Sequence, residues 1–176
     1  MSLRRVAAAL GVTAPALYAH VADKRDLLQG VADQEGRRVM DRVNSVSETE
    51  PLAVVRARSL AYVAYAKENP ALFKALFMVR PELTHEPIED ERLARKAADT
   101  FAGGAAPVYE LAKTGMLGDV DPNLAALAIW TATHGVASVI LAGPQFDPEL
   151  ERSLVETVIN SVIAGLTQGR PGRPTK

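Results

Sequence analysis

Apolar residues recur every three or four positions along most of this chain, which is the spacing of amphipathic helices. The pattern is interrupted at glycine, proline and capping residues, and these interruptions divide the chain into separate helices. No segment alternates apolar and polar residues over the length of a strand, so we predict an all-α fold. Beyond two short helices at the start, the predicted helices cover about residues 24–43, 51–68, 71–78, 88–114, 122–143 and 148–166.

The start of the chain predicts two short helices followed by a longer one. Ser2 is positioned to cap the first helix, and Gly11 to end it because glycine adopts the left-handed conformation at little cost. Thr13 caps the second helix, and Pro15 falls in its first turn, where proline is tolerated. Asp23 caps the third helix. Two short helices joined by a glycine turn form a helix-turn-helix, whose second helix fits the major groove of DNA.

The segment Ala14–Lys24, Ala-Pro-Ala-Leu-Tyr-Ala-His-Val-Ala-Asp-Lys, resembles the recognition segment of the tetracycline-repressor (TetR) family. The resemblance implies an N-terminal DNA-binding domain that contacts double-stranded DNA. Contacts to phosphates fix position and salt dependence, whereas contacts to base edges set sequence preference. Carried over residue by residue, the resemblance assigns phosphate contacts to Ser2, Tyr18, His20 and Lys24, and positions near the bases to Arg4, Thr13, Ala14, Pro15 and Ala16.

Members of this family usually carry a further helix before the motif, whereas this sequence begins at Met1. That helix would cover the apolar side of Val6, Leu10, Leu17 and Leu27, so we expect this side to be less well packed here. Three explanations stay open: a working start upstream, a shortened chain, or a weakened binder. The alternative to a DNA-binding regulator is therefore a DNA-incompetent module that dimerises and binds a ligand.

The length of 176 residues fits one large or two small domains. We predict a DNA-binding domain over residues 1–44, a ligand-binding and dimerisation domain over residues 50–167, and a basic tail over residues 168–176. The tail contains Gly-Arg-Pro, a sequence found in segments that enter the minor groove. We nevertheless expect this tail to be disordered and solubilising, with a minor-groove arm as the alternative.

Composition narrows the class of protein. Apolar residues make up 48% of the chain, enough for a core, and the net charge of −1 gives no overall signal for nucleic acid. The first 25 residues, however, carry four basic side chains against one acidic side chain. The absence of cysteine excludes disulfides and thiol chemistry and fits a cytoplasmic location. The chain contains no catalytic motif that we recognise, so we expect no enzymatic activity, no metal and no cofactor.

Residues 122–146 carry no Asp, Glu, Lys or Arg, and this stretch is long enough to cross a bilayer. A helix that is apolar all round either spans a membrane or is buried in protein. The DNA-binding motif favours burial, so we expect no membrane partner. We expect the last two helices to pair across a two-fold axis in a homodimer, rather than to serve only as intramolecular core. The candidate interface residues are Val136, Ile140, Leu154, Val158, Ile159, Val162 and Ile163.

Two further segments resemble one type of TetR C-terminal domain, namely Trp130-Thr-Ala-Thr-His134-Gly135 and Glu68-Asn-Pro-Ala-Leu-Phe73. The resemblance implies a pocket for a small effector, which we expect to be mainly apolar. Ordinary core packing is the alternative for each candidate. The candidate pocket residues are Tyr62, Tyr65, Phe73, Phe77, Phe101, Tyr109, Trp130 and His134. Together these features predict a dimeric repressor that binds a near-palindromic operator and is released by a small apolar effector.

Overall fold

The computed structural model describes residues 2–75 and 91–168, without the side chains of residues 91–100. Within these ranges the chain is helical and forms no strand, which confirms the predicted all-α fold. Phe77 and the tail from Gly169 onward lie outside the described residues. The helices are α1 (Leu3–Ala9), α2 (Ala14–Tyr18), α3 (Lys24–Asn44), α4 (Pro51–Glu68), α5 (Pro70–Phe73), α6 (Glu91–Lys113), α7 (Pro122–Ala142) and α8 (Pro148–Thr167).

Short-range signals set where most of these helices begin. The Thr13 hydroxyl accepts a hydrogen bond from the amide of Ala16 at 3.3 Å, and the Asp23 carboxylate accepts one from the amide of Asp26 at 2.9 Å. Other carboxylates cap α4, α7 and α8, and each of these three helices has proline in its first turn. Ser2 occupies the N-cap position of α1, but its side chain makes no capping hydrogen bond, so the predicted cap is wrong in that detail.

Gly11 makes the turn between α1 and α2. Its φ angle is +70°, in the left-handed region where an L side chain would be strained. Gly115, with a φ angle of +72°, ends α6 in the same way. The turn at Gly11 allows Leu17 of α2 to pack on Leu3 and Ala7 of α1, and these three residues form a small core of their own.

The main core lies among α4, α5, α6, α7 and α8. The largest fully buried side chains are Leu111 of α6 and Ile159 of α8. Helix α7 packs against α4, α6 and α8, and α3 packs against α4 and α6. Helix α3 therefore joins the helix-turn-helix directly to the main core.

Proline interrupts the hydrogen bonding of α6 at Pro107. Because proline lacks an amide hydrogen, the carbonyl four residues earlier, at Gly103, loses its helical donor. The guanidinium Nη1 of Arg58, on α4, donates to this carbonyl at 3.3 Å. A contact between neighbouring helices thus replaces a hydrogen bond that α6 itself cannot make.

Helix α7 is apolar enough, by length and composition, to cross a membrane, with a mean hydropathy of 1.7 over its best window. Only 28% of that window is buried within the chain. Because α7 also packs on three other helices of the main core, its remaining apolar surface is an outer face of a globular domain.

Candidate nucleic-acid interface and ligand site

Helix α2 turns one face inward and the rest of its surface outward. Leu17 is buried in the small core, whereas Tyr18 is 52% exposed. Exposed residues on or beside α2 also include Thr13, Pro15, Ala16 and His20, and Ala14 is half-buried. The predicted base-contacting and phosphate-contacting residues of α2 are thus available to a partner.

The remaining predicted DNA-contacting residues flank the two short helices. Ser2 and Arg4 are exposed at the start of α1, and Lys24 is half-buried in the first turn of α3. That turn is fixed from both directions, because Asp23 caps it and Asp26 accepts a hydrogen bond from the amide of Ala22 at 2.8 Å. These two hydrogen bonds therefore hold the backbone that positions Lys24.

A buried carboxylate joins α3 to α4. Glu35 is only 4% exposed, and it accepts hydrogen bonds from the Tyr65 hydroxyl and from Arg38 Nη1, both at 2.5 Å. Burial, together with the hydrogen bond to Glu35 and its charge, raises the pKa of Tyr65 to about 12. The Tyr65 hydroxyl is therefore committed to Glu35 on α3, rather than joining the aromatic residues of the predicted pocket.

Glu35 was not among the sites predicted from the sequence, although the sequence contains a signal for it. It lies four residues before Val39 and eight before Val43, both buried on the inner face of α3. A glutamate at this spacing on an apolar face requires partners, since buried charges are usually paired. Helical periodicity alone does not say which residues those partners are.

Four of the predicted pocket residues come together around His134. Its Nδ1 shares a hydrogen bond of 2.8 Å with the Tyr62 hydroxyl. The Trp130 ring stacks on the imidazole with centroids 5.3 Å apart and an interplanar angle of 14°. Phe73 lies 5.3 Å from the same ring and 6.0 Å, edge-on, from Tyr62. We call Tyr62, Phe73, Trp130 and His134 the aromatic cluster.

The aromatic cluster is uncharged near neutral pH. Burial lowers the pKa of His134 and raises that of Tyr62 well above its usual value. A neutral imidazole and a neutral phenol provide hydrogen bonding inside an apolar surrounding. This chemistry suits a largely apolar small molecule with few polar groups.

The other predicted pocket residues lie apart from the cluster or make contacts of their own. The Tyr109 hydroxyl donates to the Asn123 side chain at 2.9 Å, and Phe101 packs, half-buried, against the main core. An open groove of about 380 Å³ lies elsewhere, between α4 and α8, and none of its lining residues was predicted as a pocket residue. Its lining residues are Glu50, Leu52, Ala53, Arg56, Asn160, Ile163, Ala164, Thr167 and Gln168.

The structure divides the predicted interface residues into two groups. Val136, Ile159 and Ile163 are buried in the chain's own core and offer little surface to a second copy, although Ile163 also lines the groove between α4 and α8. The others, Ile140, Leu154, Val158 and Val162, are half-buried against that core. Large apolar side chains that remain exposed on α7 and α8 are Leu124, Leu127, Trp130, Val139 and Leu150.

A helix-turn-helix joined by a long helix to an all-helical domain is the architecture of a two-domain transcriptional regulator. The family model of the tetracyclin repressor-like C-terminal domain matches residues 55–162, more than half of the chain. The chain therefore belongs to the TetR family of transcriptional regulators. This result confirms the resemblance to the TetR family, whose regulators are not enzymes, whereas the type of C-terminal domain inferred from residues 130–135 stays a prediction.

Solved structures share the fold. A protein of unknown function from Rhodococcus sp. RHA1 is 23% identical with a TM-score of 0.77, and the match covers 96% of this chain and 86% of that protein. The TetR family transcriptional regulator PfmR from Thermus thermophilus is 20% identical with a TM-score of 0.66, covering 91% and 88% respectively. At these identities the likeness concerns the fold alone. No curated protein matches the sequence.

Proposed function

We propose that this chain is a cytoplasmic, ligand-responsive repressor that binds operator DNA as a homodimer. The observation that carries the proposal is α2, which buries Leu17 and exposes the residues on either side of it. A helix held in this way can enter the major groove. Tyr18, His20 and Lys24 then contact phosphates, while Arg4 is placed to read a guanine, the commonest partner of arginine at base edges.

The outer face of α7 and α8 supports the proposed homodimer. Leu124, Leu127, Val139 and Leu150 are each about half exposed and large, and exposed apolar surface of this kind marks an interaction site. Pairing α7 and α8 with the same helices of a second copy makes a four-helix interface about a two-fold axis. Two recognition helices then fit half-sites about one DNA turn apart, roughly 34 Å, in a near-palindromic operator.

The aromatic cluster is the proposed effector site. Helix α4 carries both Tyr62, which contacts His134 of the cluster, and Tyr65, which contacts Glu35 of α3. A ligand that moves α4 therefore also acts on the helix that carries the DNA-binding residues. The ligand must bind the two orientations with different affinity, and couplings of about 1–3 kcal/mol are typical.

The competing function is a module that dimerises and binds a ligand without binding DNA. Fluorescence anisotropy on DNA flanking the chain's own gene, across a salt series, separates the two. A repressor binds this DNA with affinity that falls as salt rises, and Tyr18→Phe and Arg4→Ala weaken it by about 5- to 10-fold or more. Lys113→Ala is the control, because it removes one positive charge, as Arg4→Ala does, from an exposed position on α6, and we expect it to leave binding unchanged.

Absence of binding by a chain that is dimeric and folded would contradict the repressor proposal and support the alternative module. The dimer is tested separately by Leu127→Glu, since this side chain is 45% exposed and its replacement leaves the core intact. We expect this variant to sediment as a monomer and to lose operator affinity. A variant that stays dimeric would place the interface elsewhere.

A further inference from the structure

Arg58 is a charged residue at the junction of α3, α4 and α6 that the proposed function leaves unused. It lies one turn before Tyr62 on α4, so the two side chains are neighbours on the same face, with Cβ atoms about 5–6 Å apart. Arg58 Nη1 donates to the Gly103 carbonyl at 3.3 Å. That hydrogen bond uses one of the five donors of the guanidinium group.

The rest of the guanidinium lacks a balancing partner within the described residues. Arg58 Nε is buried and has no hydrogen-bond partner there, and no carboxylate among the described side chains pairs with Arg58. The partial burial of the side chain also lowers the pKa of Arg58 below its ordinary value. Buried donors without acceptors and charges without counter-ions are rare and costly, so each calls for an explanation.

Two adjacent glycines, Gly103 and Gly104, lie on the α6 side of this junction. Gly103 and Gly104 are both exposed, and a Cβ built on Gly104 meets nothing within 4 Å among the described atoms. A Cβ on Gly103 meets only Met40 Cε of α3, at 3.6 Å. Among the described atoms, neither glycine places a side chain beside the guanidinium, and the apolar end of Met40, on α3, lies next to Gly103.

We propose that Arg58 binds the carboxylate of an amphipathic effector, whose apolar part extends along α4 to the aromatic cluster. A planar guanidinium matches a carboxylate in a two-point hydrogen bond. One guanidinium balances one negative charge, which favours a carboxylate over a doubly charged phosphate. The inference rests on the proposed effector site and refines its ligand from apolar to an organic acid with an apolar body.

The test compares carboxylic acids with their primary amides, which are similar in shape but uncharged. Octanoate, decanoate, dodecanoate and 4-phenylbutyrate, each beside its amide, are titrated into the full chain by calorimetry. We expect at least one acid to bind about 10- to 100-fold more tightly than its amide, as for hydrogen bonds to charged groups. Arg58→Met removes this preference, and Arg58→Lys retains part of it.

Arg56→Met is the matched control, because Arg56 lies on the same helix but donates to Asn160 of α8 at 3.0 Å. It keeps the preference for the acid. Circular dichroism confirms that each variant is folded, and Arg58→Lys preserves the charge if Arg58→Met does not fold. The inference is overturned if no acid binds more tightly than its amide. It is also overturned if the preference for the acid survives in Arg58→Met, or if the preference disappears in both Arg58→Lys and Arg56→Met.

Operator binding without any probe is measured on the same wild-type sample. Operator binding without a preference for acids overturns the assignment of Arg58 and leaves the proposed repressor standing. Loss of operator binding contradicts the repressor whatever the acids do. Even in that case, a preference for acids that depends on Arg58 supports the proposal that Arg58 binds the carboxylate.

Discussion

The helix-turn-helix and the helical domain bury their apolar side chains to very different extents. In the helix-turn-helix, Leu3, Ala7 and Leu17 form a small core, while Leu10 is 64% and Val12 44% exposed. In the helical domain, the core draws on five helices and buries residues such as Ile159 completely. The same chain thus joins a lightly packed region to a well-packed one.

This difference in burial predicts a difference in local stability between the two regions. Burying apolar surface contributes roughly 25 cal/mol per Å², so a region with few buried residues opens more easily than the domain as a whole. In the proposed repressor, operator DNA stabilises the lightly packed region, while the helical domain carries the proposed dimer interface and effector site. Helix α3 links the two through Glu35 and Tyr65. Variants on each side of that link test the contrast.

The largest expected effect is in the helical domain. Ile159→Ala leaves a cavity in the main core and lowers the free energy of unfolding by about 2–5 kcal/mol, measured by urea denaturation. Leu150→Ala, on the same helix but 53% exposed, is the control and changes stability of the monomer by less than about 0.5 kcal/mol. Equal losses from the two variants would contradict the position of the core.

In the helix-turn-helix the effect is local. Leu17→Ala removes the centre of the small core, so we expect operator affinity to fall at least about 10-fold while the main unfolding transition shifts little. Leu10→Ala makes the same chemical change at an exposed position and leaves both readouts nearly unchanged. If Leu17→Ala destabilised the helical domain as strongly as Ile159→Ala, the two regions would not differ in the way we describe.

The next largest effect is expected at the contact between Glu35 and Tyr65, which links the two regions. Tyr65→Phe removes one partner of the buried Glu35 carboxylate, at a cost of about 1–3 kcal/mol in unfolding free energy. Tyr109→Phe deletes a hydroxyl whose hydrogen bond to Asn123 is exposed, and costs less than about 0.5 kcal/mol. We also expect Tyr65→Phe, unlike Tyr109→Phe, to change operator affinity. Identical behaviour of the two variants would remove Tyr65 from the link.

The smallest effect is a pH dependence confined to the helical domain. Burial lowers the pKa of His134 in the folded chain below its ordinary value of 6.5. As the pH falls through 6.5, the unfolded chain binds this proton first, so the stability contributed by neutral His134 is lost until the folded pKa is passed. Urea denaturation should therefore show that the free energy of unfolding decreases between about pH 7.5 and 5, and that this decrease is smaller in His134→Gln. An unchanged slope in that variant would exclude His134 as its source.

Features determined by a few neighbouring residues were predictable from the sequence. The Thr13 and Asp23 caps and the turn at Gly11 depend on nearby residues only, and the structure contains all three. The face of α2 follows from the same short-range periodicity. For this reason the helix-turn-helix could be predicted in detail. Short-range patterns do not, however, indicate how little apolar surface these helices bury.

Contacts between distant residues were harder to predict. The hydrogen bond between Tyr62 and His134 joins residues 72 positions apart, and the one between Glu35 and Tyr65 joins residues 30 apart. Both depend on how helices cross, which periodicity does not specify. Arg58 was overlooked for the same reason, since its carbonyl partner becomes available only where Pro107 interrupts α6.

The apolar faces of α7 and α8 show another limit of periodicity. It identifies which residues avoid water, but it treats a contact within the chain and a contact with a second copy alike. Val136 and Ile159 were therefore predicted as interface residues, whereas they are buried in the chain's own core. Leu124 and Leu127, which remain exposed, emerged only once the core was known.

Hydrogen exchange on the free and the operator-bound chain tests the central contrast most directly. In the free chain, we predict rapid exchange at the amides of α1 and α2 and slow exchange in α7 and α8. Operator DNA should protect α1, α2 and the start of α3 while α7 and α8 stay as slow as before. Equal protection of both regions without DNA, or no gain in α2 when DNA is bound, would contradict this account.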